Sequence, residues 1–93
     1  MKAVWQGRTI AESSETREAH GYVYFPRDSV RMALLSRAEK TEDDLQCPHG
    51  VQFYDLADGT ARSERAAWSY EGTGGATAAI ANWVSFWEDV VVS

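Results

Sequence analysis

The dipeptide Asp58-Gly59 restricts the fold of this chain more than any other pair of residues in it. Asp-Gly favours a tight turn with positive φ, and the twist of that turn matches the twist of two antiparallel strands. Residues 50–56 alternate in side-chain type, and residues 66–70 are rich in aromatic and apolar residues. Successive side chains of a strand point to opposite faces, so these segments predict a β-hairpin, with residues 61–65 as the weaker start of its second strand.

Segments before this hairpin predict further strands. Apolar residues on both sides of Gln6-Gly7 indicate a hairpin between residues 1–5 and 8–12. Residues 21–25 are aromatic and β-branched, and this strand ends at Pro26, because proline cannot donate a hydrogen bond to a neighbouring strand. Residues 26–35 predict a short helix or 3₁₀ turn. The polar residues 36–44 predict an exposed loop.

The C-terminal part of the chain has helical spacing. Apolar residues recur at i, i+3, i+4, i+7, i+8 and i+11, and they are Ala76, Ala79, Ile80, Trp83, Val84 and Trp87. Such a stripe predicts a closing helix that buries one face, with Trp83 and Trp87 in the core. Residues 90–92 predict a terminal strand. The expected fold is therefore mostly β (α+β), with a short central helical turn and a C-terminal helix.

The charge balance limits the classes of partner. The chain has 93 residues and a net charge of −5, which argues against nucleic acid or an anionic membrane as a partner, because both need a basic surface. A local cationic spot around Arg27 and Arg31 stays open. One cysteine cannot form an internal disulfide. No stretch has the length of a membrane span or the apolar run of a signal peptide. We expect one cytoplasmic domain over residues 1–93, monomeric or homodimeric, with no nucleic-acid or membrane partner.

Aromatic residues are the leading candidates for a ligand site. Trp68 and Tyr70 lie on the same face of one predicted strand, and Tyr24 and Tyr54 lie in two others. Rings bind small planar or cationic groups by stacking and cation–π contact. Arg31 can orient an anionic or carbonyl group of the same ligand. The alternative is that some of these rings only fill the core of a small domain.

The segment Cys47-Pro48-His49-Gly50 suggests a reactive thiol. A neighbouring histidine, either His49 or His20, can favour the thiolate and act as a base. The alternative, which we favour, is that Cys47 is a small buried hydrophobic residue, as free cysteines usually are. One cysteine and two histidines also fall short of a four-ligand zinc site. We therefore expect neither a metal nor another cofactor.

An ordered set of short motifs resembles a known family. The motifs run through most of the chain and are Trp5-x-Gly7, Ile10-Ala11-Glu12-Ser13, Tyr24-Phe25-Pro26, Val30-Arg31, Cys47-Pro48, Gly50, Tyr54 and Ala67-Trp68-x-Tyr70. In this order they are similar to the DUF427 family of small bacterial domains of unknown function. The resemblance implies a β-tent-like fold, in which two antiparallel sheets meet at an angle. The chain departs from the family where His49 alone separates Pro48 from Gly50, without the usual aromatic residue and lysine.

These features predict a non-enzymatic function. We expect a small module that binds a small molecule or a modified residue in an aromatic pocket, and the candidate ligand-binding residues are Tyr24, Arg31, Cys47, Tyr54, Trp68 and Tyr70. One alternative is a redox or hydrolytic enzyme that uses Cys47, for which Cys47 and His49 are the candidate catalytic residues. Another is a protein-interaction domain whose aromatic surface contacts a second chain.

Overall fold

The computed structural model describes residues 1–47, 50–72 and 75–93 of the chain. Strands dominate these residues, and in chain order they are β1 (Lys2–Trp5), β2 (Arg8–Glu12), β3 (Arg17–Ala19), β4 (Tyr22–Phe25), β5 (Leu35–Arg37), β6 (Val51–Asp58), β7 (Ala61–Tyr70), β8 (Val84–Phe86) and β9 (Val91–Val92). Within the described residues, helical structure is limited to α1 (Glu42–Gln46) and 3₁₀ turns at Arg27–Ser29, Met32–Leu34 and Gly75–Ile80. No helix in the described part of the chain is both long and apolar enough to cross a membrane.

The strands form two antiparallel sheets. The smaller sheet has the order β2-β1-β9, and the larger sheet has the order β3-β4-β8-β7-β6-β5. The mostly β class with two antiparallel sheets is therefore confirmed. Both predicted hairpins form, because Gln6, Gly7 and Gly59 adopt the positive φ that tight hairpin turns require. The terminal strand at residues 91–92 also forms, paired with β1.

The main core joins the two sheets. Trp5 and Ile10 of the smaller sheet pack in one cluster with Phe25, Leu56 and Val84 of the larger sheet. Burying each of these large apolar side chains contributes about 1.5–3 kcal/mol to stability. We call the face of the larger sheet that carries Phe25, Leu56 and Val84 its inner face. The opposite, outer face carries a second cluster around Tyr24, Val51, Trp68 and Ile80.

The predicted closing helix is wrong. Residues Gly75–Ile80 form a 3₁₀ turn, Asn82 has a φ of 67°, and Val84–Phe86 form strand β8 between β4 and β7. The apolar spacing fits a helix, but pairing on both edges of β8 satisfies its backbone groups and overrides that pattern. Trp87 is consequently 38% exposed instead of lying in the core.

The predicted loop over residues 36–44 is only partly correct. Its first residues belong to β5 at the edge of the larger sheet, and its last residues begin α1. Thr41 and Asp44 form a capping box, in which each side chain accepts a hydrogen bond from the other residue's backbone N–H. The predicted 3₁₀ turn within residues 26–35 is confirmed.

Candidate functional site

Aromatic side chains form a row across the outer face of the larger sheet. Tyr24 pairs with Ser85, Ser85 pairs with Trp68, and Trp68 pairs with Phe53, so these residues lie side by side on four neighbouring strands. Ser85 is fully buried and bridges the row with a small side chain whose hydroxyl donates to the carbonyl of Val23 at 2.9 Å. The small residue leaves space for the large rings on either side of it.

Rings above this row border a cavity that is open to solvent. Tyr22 stands perpendicular to Trp68, with ring centroids 4.8 Å apart, and Trp87 meets Trp68 at 76° with centroids 5.5 Å apart. The cavity has a volume of about 190 Å³ and is lined by Tyr22, Val51, Phe53, Trp68, Tyr70 and Trp87. We call this cavity the aromatic pocket.

The polar atoms of the two pocket tryptophans already have partners. The indole N–H of Trp68 donates to the hydroxyl oxygen of Tyr24 at 3.3 Å, and the indole N–H of Trp87 donates to the carbonyl of Arg65. Burial raises the pKa of Tyr24 to about 12, so this phenol is neutral at physiological pH. The pocket therefore presents mainly the faces and edges of rings to a ligand.

A guanidinium lies behind one wall of the pocket. The Cζ atom of Arg65 is 4.0 Å from the ring centroid of Phe53. Nη2 of the same residue donates to both carboxylate oxygens of buried Asp44, at 2.9 and 3.0 Å. These hydrogen bonds hold the pKa of Asp44 below its usual value, against the opposing effect of burial. The pair is locally neutral, and it fixes the position of Phe53 from outside the pocket.

A second polar constellation lies on the inner face. Glu71 accepts hydrogen bonds from Arg27 at 2.8 Å, from Arg37 at 2.9 Å and from the hydroxyl of Tyr54. The guanidinium carbons of Arg27 and Arg37 lie 5.8 and 5.6 Å from the centroid of the Tyr54 ring. We call these four residues the arginine–tyrosine cluster.

The hydrogen bonds of the arginine–tyrosine cluster fix its charges. Burial alone would raise the pKa of Glu71, but the hydrogen bonds from Tyr54, Arg27 and Arg37 outweigh it and lower that pKa. Burial raises the pKa of Tyr54, and its hydrogen bond to the Glu71 carboxylate acts in the same direction. The cluster thus contains an ionised carboxylate, a neutral phenol and two guanidinium groups at neutral pH.

A family model for a domain of unknown function, DUF427, matches residues 1–93. The chain belongs to the DUF427 family. The resemblance read from the ordered motifs is thereby confirmed over the whole chain. A comparison with curated proteins gives no match. The family assignment carries no activity, so the function of this DUF427 domain has to be argued from its own side chains.

Three of the candidate ligand-binding residues come together in the DUF427 domain. Tyr24, Trp68 and Tyr70 belong to the outer face, where Trp68 and Tyr70 line the aromatic pocket and Tyr24 supports Trp68 from beneath. Tyr54 is 3% exposed and lies on the opposite face of the same sheet, in the arginine–tyrosine cluster. The four rings do not share one cavity, because neighbouring residues of a strand alternate between faces.

Arg31 and Cys47 are not among the described residues that line the aromatic pocket. Arg31 is exposed and borders a separate cleft of about 320 Å³ between β2 and the first 3₁₀ turn. Cys47 is half-buried and packs against the outer-face cluster, whereas His49 lies outside the described residues. His20 is exposed in the turn between β3 and β4. Among the residues that the structure describes, no three histidine, cysteine, aspartate or glutamate side chains are grouped to hold a metal ion.

Several residues of the site were missed by the sequence analysis. Phe53 and Tyr22 could have been found by alternation, because Phe53 shares a face with Val51 and Tyr22 shares a face with Tyr24. Trp87 was assigned to a helix face in the core. Nothing local in the sequence indicates that Arg27 and Arg37 meet at Glu71, because these residues lie on distant segments.

Proposed function

We propose that this DUF427 domain binds a small molecule, or a modified amino-acid side chain, in the aromatic pocket. The observation that carries the proposal is the near-perpendicular arrangement of Tyr22, Trp68 and Trp87 around a cavity. Tyr22 is 40% exposed and Trp87 is 38% exposed, although both rings adjoin the nearly buried Trp68. Adjacent large rings that stay open to solvent commonly mark a binding surface.

The lining of the pocket favours a planar or a cationic ligand, because ring faces bind both by stacking and cation–π contact. The described residues that line it are five aromatic residues and one valine, and none of these has a charged side chain. The indole N–H groups of Trp68 and Trp87 are engaged within the protein, so a ligand gains mainly from stacking on the ring faces. The volume of about 190 Å³ suits one ring system or one substituted ammonium group, because pockets for drug-sized ligands start at about 300 Å³.

Cys47 is a packing residue in this proposal. Its side chain is half-buried and contacts the outer-face cluster, which is the usual behaviour of a free cysteine that acts as a small hydrophobic residue. This environment favours a packing role for Cys47 over the alternative of a redox or hydrolytic enzyme that uses it.

The proposal also includes a cellular setting and a finer description of the fold. We place the domain in a bacterial cytoplasm on the basis of the family resemblance and the single cysteine. A monomer or a homodimer is the state that we propose. We also propose that the two antiparallel sheets meet at the angle that a β-tent fold requires.

A ligand screen with a pocket variant tests the function. We would measure thermal shifts with nucleobases, nucleotides, cyclic imides and quaternary amines, comparing the wild type with Trp87→Ala. Trp87 is the better choice because Trp68 is only 5% exposed, and truncating a buried tryptophan costs about 3–5 kcal/mol of stability. Trp83→Ala is the matched control, because Trp83 is half-buried, contacts Arg17 and does not line the pocket.

The proposal predicts that a ligand of the wild type also binds Trp83→Ala and binds Trp87→Ala at least about tenfold more weakly, a loss of about 1.4 kcal/mol. If the wild type and Trp87→Ala bind the ligand with equal affinity, the aromatic pocket is not the binding site. If no compound binds and the scattering mass rises with protein concentration, the exposed rings belong to a protein interface instead.

A further inference from the structure

The inner face of the larger sheet carries a second group of polar side chains that is independent of the aromatic pocket. The group consists of the arginine–tyrosine cluster together with Gln52 and Ser69. Register places Arg37 beside Tyr54 on neighbouring strands, and places Ser69 beside Gln52. Burial decreases outward across the group, from the fully buried Ser69 through Glu71 to Arg37, whose side chain is 62% exposed. The group therefore opens to solvent at Arg37.

The guanidinium group of Arg27 forms hydrogen bonds within the protein. Its Nε donates to the carbonyl of Asn82 at 2.8 Å, and its Nη2 donates to Ser69 at 3.2 Å and to Glu71 at 2.8 Å. These hydrogen bonds connect the turn after β4 to the end of β7 and to the segment before β8. Arg27 is consequently a positioning residue, and it holds one oxygen of the Glu71 carboxylate.

Among the described residues, Arg37 donates hydrogen bonds through only one nitrogen of its guanidinium group, Nη1. Nη1 donates to Glu71 at 2.9 Å and to Gln52 at 3.3 Å, and the group lies 5.6 Å from the centroid of the Tyr54 ring. Gln52 is 4% exposed and is itself fixed, because its amide nitrogen donates to two backbone carbonyls at 2.9 and 2.8 Å. Within the described part of the chain, Nε and Nη2 of Arg37 donate to no acceptor.

Nε and Nη2 of Arg37 form the edge of the guanidinium group that typically binds oxyanions. Nε–H and Nη2–H of an arginine point in parallel and match two oxygens of a carboxylate or phosphate. An ordinary exposed arginine loses much side-chain freedom when it binds, whereas Arg37 is already held by Glu71, Gln52 and Tyr54. Two guanidinium groups and one carboxylate leave the arginine–tyrosine cluster with an excess positive charge, in a protein whose net charge is −5.

We propose that Arg37, held by Glu71, Gln52 and Tyr54, is a binding site for one oxyanion group, either a carboxylate or a phosphate. The anion accepts hydrogen bonds from Nε–H and Nη2–H of Arg37, while Nη1 keeps its contacts within the protein. This site is separate from the aromatic pocket, because Tyr54 and Phe53 point to opposite faces of β6.

The test follows the arginine Nε–H signals by NMR while inorganic phosphate or acetate is added at constant ionic strength. We expect the Arg37 signal to move and saturate, whereas the Arg62 signal does not. Arg62 is the matched control, because its side chain is 61% exposed, similar to Arg37, and it pairs with Asp55 on the other side of the domain's central hairpin. Arg37→Lys keeps the charge but loses the parallel donors, and should weaken binding about tenfold or more.

Each outcome decides the proposal. Saturation by both anions supports a general oxyanion site, and saturation by phosphate alone or acetate alone identifies the preferred group. Unsaturable shifts, equal shifts at Arg37 and Arg62, or unchanged affinity in Arg37→Lys would overturn it. Trp87→Ala should bind these anions as the wild type does, so failure of the aromatic pocket and failure of the Arg37 site are distinguishable.

Discussion

The indole N–H of Trp87 donates to the backbone carbonyl of Arg65, at a point where strand β7 is irregular. Tyr54 pairs with Ala67 and Leu56 pairs with Ser63, so β7 has extra residues opposite Asp55. Arg65 lies in this bulge with a φ of 55°, in the left-handed region that non-glycine residues seldom occupy. Its carbonyl fixes Trp87 and its guanidinium covers Phe53, so two walls of the aromatic pocket depend on one bulge.

The first prediction concerns the residue that holds the bulge. Oδ1 of Asp55 accepts a hydrogen bond from the backbone N–H of Arg65 at 2.9 Å, and Oδ2 accepts one from Arg62 at 3.0 Å. Asp55→Ala leaves the N–H of Arg65 without this acceptor, and we expect a loss of about 1–3 kcal/mol in the free energy of unfolding, measured with urea. Arg8→Ala is the control, because the exposed pair of Arg8 with Asp58 contributes about 0–1 kcal/mol. Equal losses in the two variants would contradict the role of Asp55.

Much of the larger sheet could be predicted because its signals are local. The Asp58-Gly59 signal locates the hairpin, although Asp58 pairs with Ala61 and the two turn residues are Gly59 and Thr60. The alternation around Tyr54 correctly separates it from Phe53 on the opposite face. The same alternation conflicts with a single pocket that contains both Tyr54 and Trp68. Strand geometry therefore predicts the face of the sheet on which each ring lies. The same geometry does not support placing all four rings in one site.

The end of the chain could not be predicted from its spacing. Residues 76–87 satisfy the helical pattern, and their fold is decided by β4 and β7, which offer hydrogen-bonding edges to Val84–Phe86. The arginine–tyrosine cluster was missed for a related reason. Arg27 and Glu71 are 44 positions apart, and their contact exists only once β4, β7 and β8 are assembled.

The second prediction concerns the close approach of two loops at Gly50. Gly50 has a φ of 66°, and a Cβ atom added to it would lie 2.6 Å from the backbone nitrogen of Gly72. Gly50→Ala should therefore lower the free energy of unfolding by more than the cost of the backbone conformation alone, which is about 1–2 kcal/mol. Gly59→Ala provides that reference, because Gly59 has a φ of 63° and open space around its Cβ position. If both variants lose the same stability in urea, the contact with Gly72 is not a constraint.

The third prediction concerns the pH dependence of stability. The pKa of Glu71 in the folded protein is lowered from 4.5 because its hydrogen bonds outweigh burial. A carboxylate with a depressed folded pKa contributes stability that is present above its unfolded pKa and is lost as the pH falls through its folded pKa. Glu71→Gln removes this contribution, so we expect lower stability at neutral pH and a weaker dependence on pH below about pH 5.

Urea unfolding at a series of pH values measures this effect. Some acid dependence should persist in Glu71→Gln, because hydrogen bonds also lower the pKa of Asp44 and Asp89. Glu64→Gln should match the wild type, because the Glu64 side chain is 76% exposed and lies 3.8 Å from Arg62, whose side chain is 61% exposed. Parallel curves for the wild type and Glu71→Gln would mean that Glu71 titrates alike in the folded and unfolded chains. Glu71 would then not be the anchor that holds Arg37 in place.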